Sequence, residues 1–141
     1  MIEFNREEVA VDFDEQIHLD WLSKVILSEN KTEGEIIYLF CTDEYLLDLN
    51  QRFLNHDTLT DIITFDNTMG NLVSADICIS IERVKENAVD FNVSFEEELR
   101  RVLVHGVLHI CGYKDKSVEE ADIMRAKENE KMALFHVEQQ S

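Results

Sequence analysis

The chain of 141 residues has no proline and only four glycines. That composition argues against a collagen-like, linker-rich or disordered chain, and no internal repeat or low-complexity run is present. Cysteine is scarce: Cys41, Cys78 and Cys111 form an odd set with no CxxC spacing. They argue against a disulfide framework and read as small buried apolar residues of a reduced compartment. Basic residues are also few, 13 against 30 acidic, for a net charge of −17. Phosphate binding is driven by Lys and Arg, so this balance argues against a broad, unspecific nucleic-acid binder. It leaves room for a small basic cleft on an acidic body. No apolar run approaches the roughly 20 residues needed to span a bilayer. The stretch Met1 to Arg6 lacks the basic-then-apolar layout of a secretion signal. These absences predict a soluble, cytoplasmic protein with no membrane partner.

What is there is a core. Apolar residues make up 45% of the chain, and its length fits one domain over residues 1–141. Ile2-Glu3-Phe4 reads as a short first strand. From Asp14 the pattern turns helical, with Ile17, Trp21 and Val25 on one face and Leu22 and Ile26 widening it. Residues 30–34 read as a loop and Glu35 to Cys41 as an interior strand. Thr42 or Asp43 can cap a helix with Tyr45, Leu46, Leu49 and Phe53 on one side. Residues 55–58 read as a turn, Ile62 to Phe65 as a strand, 67–71 as a loop and Leu72 to Ile79 as another strand. A helix is expected from Ser80 or Ile81 to about Phe91. Ser94-Phe95-Glu96-Glu97 and Ser117-Val118-Glu119-Glu120 are capping boxes that open two more helices. The first runs to Cys111 and stops at Gly112. The last carries Ile123, Met124, Lys127, Lys131, Leu134 and Phe135. The expected fold is α+β: a small mixed sheet of about four strands, packed with helices around a buried central helix.

That central helix carries the chemistry. Val102 to Ile110 is apolar except for His105, Gly106 and His109. Four residues apart on a helix, the two imidazoles share a face and can bind one metal ion. A buried imidazole without a polar partner costs about 1–3 kcal/mol, and a shared cation meets that need twice. A third ligand is required. Asp115 follows soon after Gly112 ends the helix, where the backbone can turn back. Zinc proteases of the H-E-x-x-H type place a general-base Glu directly after the first His. Here the position is Gly106, so the pattern has protease-like ligands without the base; close packing against a neighbour also explains a glycine there.

The stretch His105-Gly106-Val107-Leu108-His109-Ile110-Cys111-Gly112-Tyr113 resembles the H-G-x-L-H-L-x-G-Y-D-H signature of the YbeY endoribonucleases. The likeness runs from about Ile36 to Phe135. Leu59 to Phe65 is similar to that family's P-T-D-V-L-S-F, and Ser74 to Ser80 to its L-G-D-I-x-I-S strand. The resemblance implies a metal-dependent enzyme that cuts single-stranded RNA in ribosomal RNA maturation and ribosome quality control. Its partners would be ribosomal RNA and ribosomal particles or a ribosomal protein. The metal ligands would be His105, His109 and Asp115. Two departures stand out. The family's third ligand is His where this chain has Asp115, and the preceding Asp is Lys114. A carboxylate hardens the site, so Mn, Fe or Ni join zinc, the expected ion, as candidates. The family's catalytic Arg falls at Leu54, leaving Arg52 as a candidate substitute; a helix-end arginine beside the C-terminal dipole is the plainer reading.

Other polar residues receive structural readings. Asp61, Asp76 and Asn87 are expected to satisfy backbone groups, although Thr60-Asp61 can line the cleft. Lys114 and Lys116 flank Asp115, where they can meet phosphates or simply face solvent. His18, His56 and His136 have no partner spacing and read as surface or packing residues. Two rival functions remain: a scaffolding protein of ribosome assembly with a structural metal, and another metal-dependent hydrolase such as a peptidase.

Overall fold

A computed structural model of the chain describes residues 1–54 and 60–140, with side chains as far as Phe135. The elements are β1 (Ile2–Arg6), α1 (Glu15–Ser28), β2 (Thr32–Cys41), α2 (Asp43–Leu54), β3 (Ile62–Asp66), β4 (Leu72–Ser80), α3 (Ile81–Asp90), α4 (Phe95–Ile110) and α5 (Val118–Gln140). The strands form one mixed sheet in the order β1-β2-β4-β3. β1 and β4 run parallel to β2, and β3 runs antiparallel to β4. The short link from β3 to β4 permits only an antiparallel return, whereas α1 supplies the crossover between β1 and β2. The expected α+β fold with a four-stranded mixed sheet is what the chain adopts.

Side chains alternate across the sheet with a period of two. Ile36, Tyr38 and Phe40 of β2 and Val73, Ala75, Ile77 and Ile79 of β4 point into the main core beneath α1 and α4. Cys41, Ile63 and Cys78 point the other way, into a smaller cluster closed by Leu46 of α2. The three cysteines are free thiols; Cys41 and Cys78 are buried as expected, whereas Cys111 is half-buried. Burial pushes Cys41 up to about 12 and Cys78 and Cys111 up to about 11, so all three stay protonated and inert.

α4 is the central helix that its composition predicts. Its residues 102–104, 107 and 108 are buried, and the Tyr38 hydroxyl donates to the Leu103 carbonyl at 2.7 Å. Gly106 faces the sheet at close range: a Cβ there would sit 3.1 Å from Ile77 Cδ1 and 3.2 Å from Ile62 Cδ1. α5 lies over α4 and α1, fixed by Trp21 Nε1 donating to the Lys131 carbonyl at 2.7 Å. The capping residues act as expected. Ser94 Oγ accepts from the Glu97 amide at 3.1 Å, and Ser117 and Glu120 bond each other's amides, both at 3.0 Å.

The structure departs from the sequence reading in three places. β2 starts at Thr32 rather than Glu35, because Thr32 and Glu33 pair with Leu72 and Val73 ahead of a register shift. On α2, Tyr45 and Phe53 are exposed; only Leu46 and Asn50 are buried, since the helix meets a small cluster. Ile123 is exposed as well, and the buried face of α5 is Met124, Glu128, Lys131, Met132 and Phe135. The turn expected at 55–58 lies outside the described residues. No helix among the described residues is long and apolar enough to cross a membrane.

Candidate active site

A cleft of ≈ 420 Å³ opens where α4, α3, α5 and β3 meet. Its wall from α4 is a stripe: Glu98, the adjacent pair Arg101 and Val102, His105 and His109 follow one another a helical turn apart, so they share one helical face. β3 and the residues before it contribute Thr60, Asp61, Ile62 and Thr64. α3 adds Asn87 and its cap residue Phe91; α5 adds Arg125 and Glu128.

The segment after α4 brings Asp115 to this cleft. Cys111 caps the helix, and Gly112 takes φ +114, which an L side chain rarely adopts. The amides of Gly112 and Tyr113 bond back to the His109 and Leu108 carbonyls, both at 3.1 Å. The Tyr113 hydroxyl then donates to Glu29 Oε1 at 2.7 Å, tying the reversal to the end of α1. The outcome is His105 Nε2 at 3.3 Å from Asp115 Oδ2.

The other nitrogen of His105 has a fixed partner. Nδ1 lies 2.8 Å from Glu128 Oε2, a carboxylate only 6% exposed, whose Oε1 accepts from Arg101 Nη1 at 3.0 Å. Arg101 in turn bonds Asn129 Oδ1 at 3.0 Å. Burial works against the Glu128 charge, but hydrogen bonds from His105 and Arg101 outweigh it and hold its pKa below the usual carboxylate value. Burial also works against charging His105; the Glu128 hydrogen bond and the nearby carboxylates prevail and raise its pKa. In the neutral ring, with Nδ1–H donating to Glu128, Nε2 would present its lone pair to the cleft. Such an arrangement orients an imidazole for a metal ion.

The residues fit a cation in two further respects. Two ligand atoms on a tetrahedral ion at about 2.0 Å stand about 3.3 Å apart, and His105 Nε2 and Asp115 Oδ2 have that separation. The cleft is also rich in negative charge: Asp61, Glu98, Asp115 and Glu128 face Arg101 and Arg125. His109 lines the same wall. Even so, no three His, Cys, Asp or Glu side chains among the described residues are drawn together closely enough to hold a metal ion. His105 and Asp115 are brought together, and His109 shares their cleft without completing a set of three.

Asp61 and Glu98 are the other two carboxyls that line the cleft. Burial raises both pKa values; His105 opposes the shift at Asp61, whereas Asp61 itself adds to the shift at Glu98. Asn87 Nδ2 donates to Asp61 Oδ2 at 3.4 Å. Asp61 and Asn87 therefore belong to the cleft, while Asp76 is exposed on β4 and accepts from Asn67 at 3.4 Å. Arg52 sits in the last turn of α2, paired with Asp48 at 3.1 Å, and does not line the cleft. Lys114 and Lys116 are exposed beside Asp115. His18 is a packing residue, buried with its ring nitrogen 2.6 Å from the Asp14 carbonyl. His56 lies outside the described residues, as does the side chain of His136.

Sequence reading missed Glu98, Arg101, Phe91, Arg125 and Glu128. The first two carried a signal, since they continue the stripe of His105 and His109 at helical spacing. Glu128 carried none, because only the docking of α5 on α4 brings it to His105.

The class is an α+β domain in which a helix-borne pair of histidines and a returning aspartate line one cleft beside a small mixed sheet. The chain belongs to the Endoribonuclease YbeY family, whose profile matches residues 1–136. It is 65% identical over 140 residues to the Endoribonuclease YbeY of Flavobacterium johnsoniae, covering 99% of this chain and 100% of the relative. It is 48% identical over 115 residues to that of Bacteroides fragilis, covering 82% of this chain and 83% of the relative. The solution structure of TM1509 from Thermotoga maritima superposes with a TM-score of 0.69 at 27% identity, covering 99% of this chain and 92% of that one.

Proposed function

We propose that the cleft is the active site of a metal-dependent endoribonuclease that cuts single-stranded RNA in ribosomal RNA maturation and ribosome quality control. The observation that carries this reading is the clamped imidazole: His105 held through Nδ1 by Glu128 at 2.8 Å, with Nε2 3.3 Å from Asp115. His105, His109 and Asp115 would hold one divalent ion, zinc first, with Mn, Fe or Ni admitted by the hard carboxylate. The ion would supply Lewis acidity toward a phosphoryl oxygen. The chain's own residues do the rest. Glu128 fixes the His105 tautomer, and Arg101 keeps Glu128 ionised. Asp61, which accepts from Asn87, would serve as general base toward the attacking oxygen. A peptidase reading loses support because Gly106 faces Ile77 and Ile62; a glutamate there would point into the sheet instead of the cleft.

The net charge of −17 supports a second step: low affinity for naked RNA, with productive binding on ribosomal particles in the cytoplasm. The test is cleavage of an end-labelled single-stranded RNA with Zn or Mn, beside a duplex, a chelator control and His105→Ala. Metal-dependent cutting of the single strand alone, lost in the variant, is expected. No cleavage of free RNA or ribosomal particles by the metal-loaded protein would overturn the reading in favour of a scaffolding role.

A further inference from the structure

Two residues of the cleft have no task in the chemistry described above. Arg125, on α5, has a side chain 59% exposed. Its nearest carboxylate oxygen among the described residues, Glu128 Oε1, is 3.8 Å away. That oxygen is already engaged by Arg101 at 3.0 Å, and Oε2 by His105 at 2.8 Å. Arg101, the other arginine of the cleft, is held on both sides by Glu128 and Asn129. Arg125 therefore presents its planar fork of donors to the cleft with no tight internal partner, on a body whose net charge is −17. A guanidinium so placed, one carboxylate away from His105, has the fork geometry that binds a phosphate.

Phe91 is the second. It caps α3, which ends because Asn92 takes φ +57 and its amide turns back to the Val89 carbonyl at 3.1 Å. Phe91 is 58% exposed and belongs to neither hydrophobic cluster. It contacts no other aromatic ring among the described residues, yet it lines the cleft. A large apolar ring left in water at a cleft rim is a stacking surface for a planar group.

We infer that Phe91 and Arg125 grip a single RNA strand at the rims of the cleft: Phe91 stacks on an unpaired base, and Arg125 binds the backbone phosphate that lies before His105, His109 and Asp115. The inference rests on the nuclease reading and adds the source of its preference for single strands. Bases inside an A-form duplex are stacked on one another and present no face to Phe91. An extended strand offers both a free base and its phosphate at once.

The two contacts leave different signatures, which anisotropy of a short labelled single-stranded RNA over a salt series separates, with cleavage read on the same samples. Arg125→Gln is expected to weaken binding and to flatten the slope of log affinity against log salt by about 0.7, the share of one single-strand phosphate contact. Phe91→Ala is expected to weaken binding about tenfold with the slope unchanged, the size of one lost base stack. Phe91→Trp should restore affinity and Arg125→Lys should restore the slope. Both side chains are exposed, so circular dichroism should show unchanged folding. If the wild type cleaves RNA but neither variant shifts affinity or slope, the grip is overturned and the nuclease reading stands. If the wild type binds with these shifts but never cleaves, the nuclease reading fails and the grip stands as a strand-binding site. A wild type that binds no single strand overturns the grip outright.

Discussion

Glu29 shows how one side chain can hold a site it does not enter. It accepts from Tyr113 in the segment that carries Asp115, and pairs with Lys131 of α5 at 2.8 Å, both partners largely buried. Burial opposes its charge, but hydrogen bonds from Lys131 and Tyr113 and the charges of Lys131 and Lys127 outweigh that and lower its pKa. A depressed carboxyl pKa contributes stability above the unfolded value of about 4.3, which is lost as pH falls through the folded value. Glu29→Gln should therefore cost about 2 kcal/mol at neutral pH, below the usual figure for a broken buried pair because Lys131 keeps Glu130 and Ser28. The gap between wild type and variant in urea unfolding should narrow below about pH 4. A gap independent of pH would show that Glu29 acts through packing alone. Glu128 belongs to the same scale. Glu128→Gln keeps the shape but loses the charge that orients His105, so affinity for zinc should fall about 10- to 100-fold in a chelator-competition titration. Unchanged affinity would remove Glu128 from the metal's support.

At the scale of elements, the reversal after α4 is the joint on which the site turns. Gly112 at φ +114 holds a backbone conformation that L side chains rarely adopt, so Gly112→Ala should cost about 2 kcal/mol. The strain falls between His109 and Asp115, so metal affinity should drop with thermal stability. A variant as stable as wild type would mean that the loop re-forms by another route. This reversal was legible in the sequence, as were α4 and its cap, because a glycine after a capped apolar helix admits few readings. Other elements were less legible for physical reasons. Thr32 to Gly34 has the polar, glycine-containing look of a loop, yet it is strand, because pairing with β4 supplies what its side chains do not. Tyr45 and Phe53 have the spacing of a buried face, but α2 covers only the small cluster around Leu46. The stripe from Glu98 to His109 could be read by period alone, whereas Glu128 and Phe91 enter the cleft by helix docking, which no local pattern encodes.

For the whole molecule the question is whether the fold would need the proposed metal. The main core joins β1, β2 and β4 to α1, α4 and α5, and includes none of His105, His109 or Asp115. The Tyr38–Leu103 and Trp21–Lys131 hydrogen bonds that pin α4 and α5 lie away from the cleft. A zinc finger unfolds without its ion because the ion replaces a core; here a core of large side chains such as Trp21, Tyr38, Phe40 and Phe135 exists without it. Chelation, or His109→Ala, should then abolish stoichiometric metal in elemental analysis while far-ultraviolet circular dichroism keeps its helical signal. Thermal stability should fall only by the linkage of a bound ligand, about 2.7 kcal/mol at a hundredfold excess of metal over its Kd. The His109 variant should lose even that dependence on added metal. Cooperative unfolding on chelation would assign the ion a structural role, and with it the scaffolding reading of the protein.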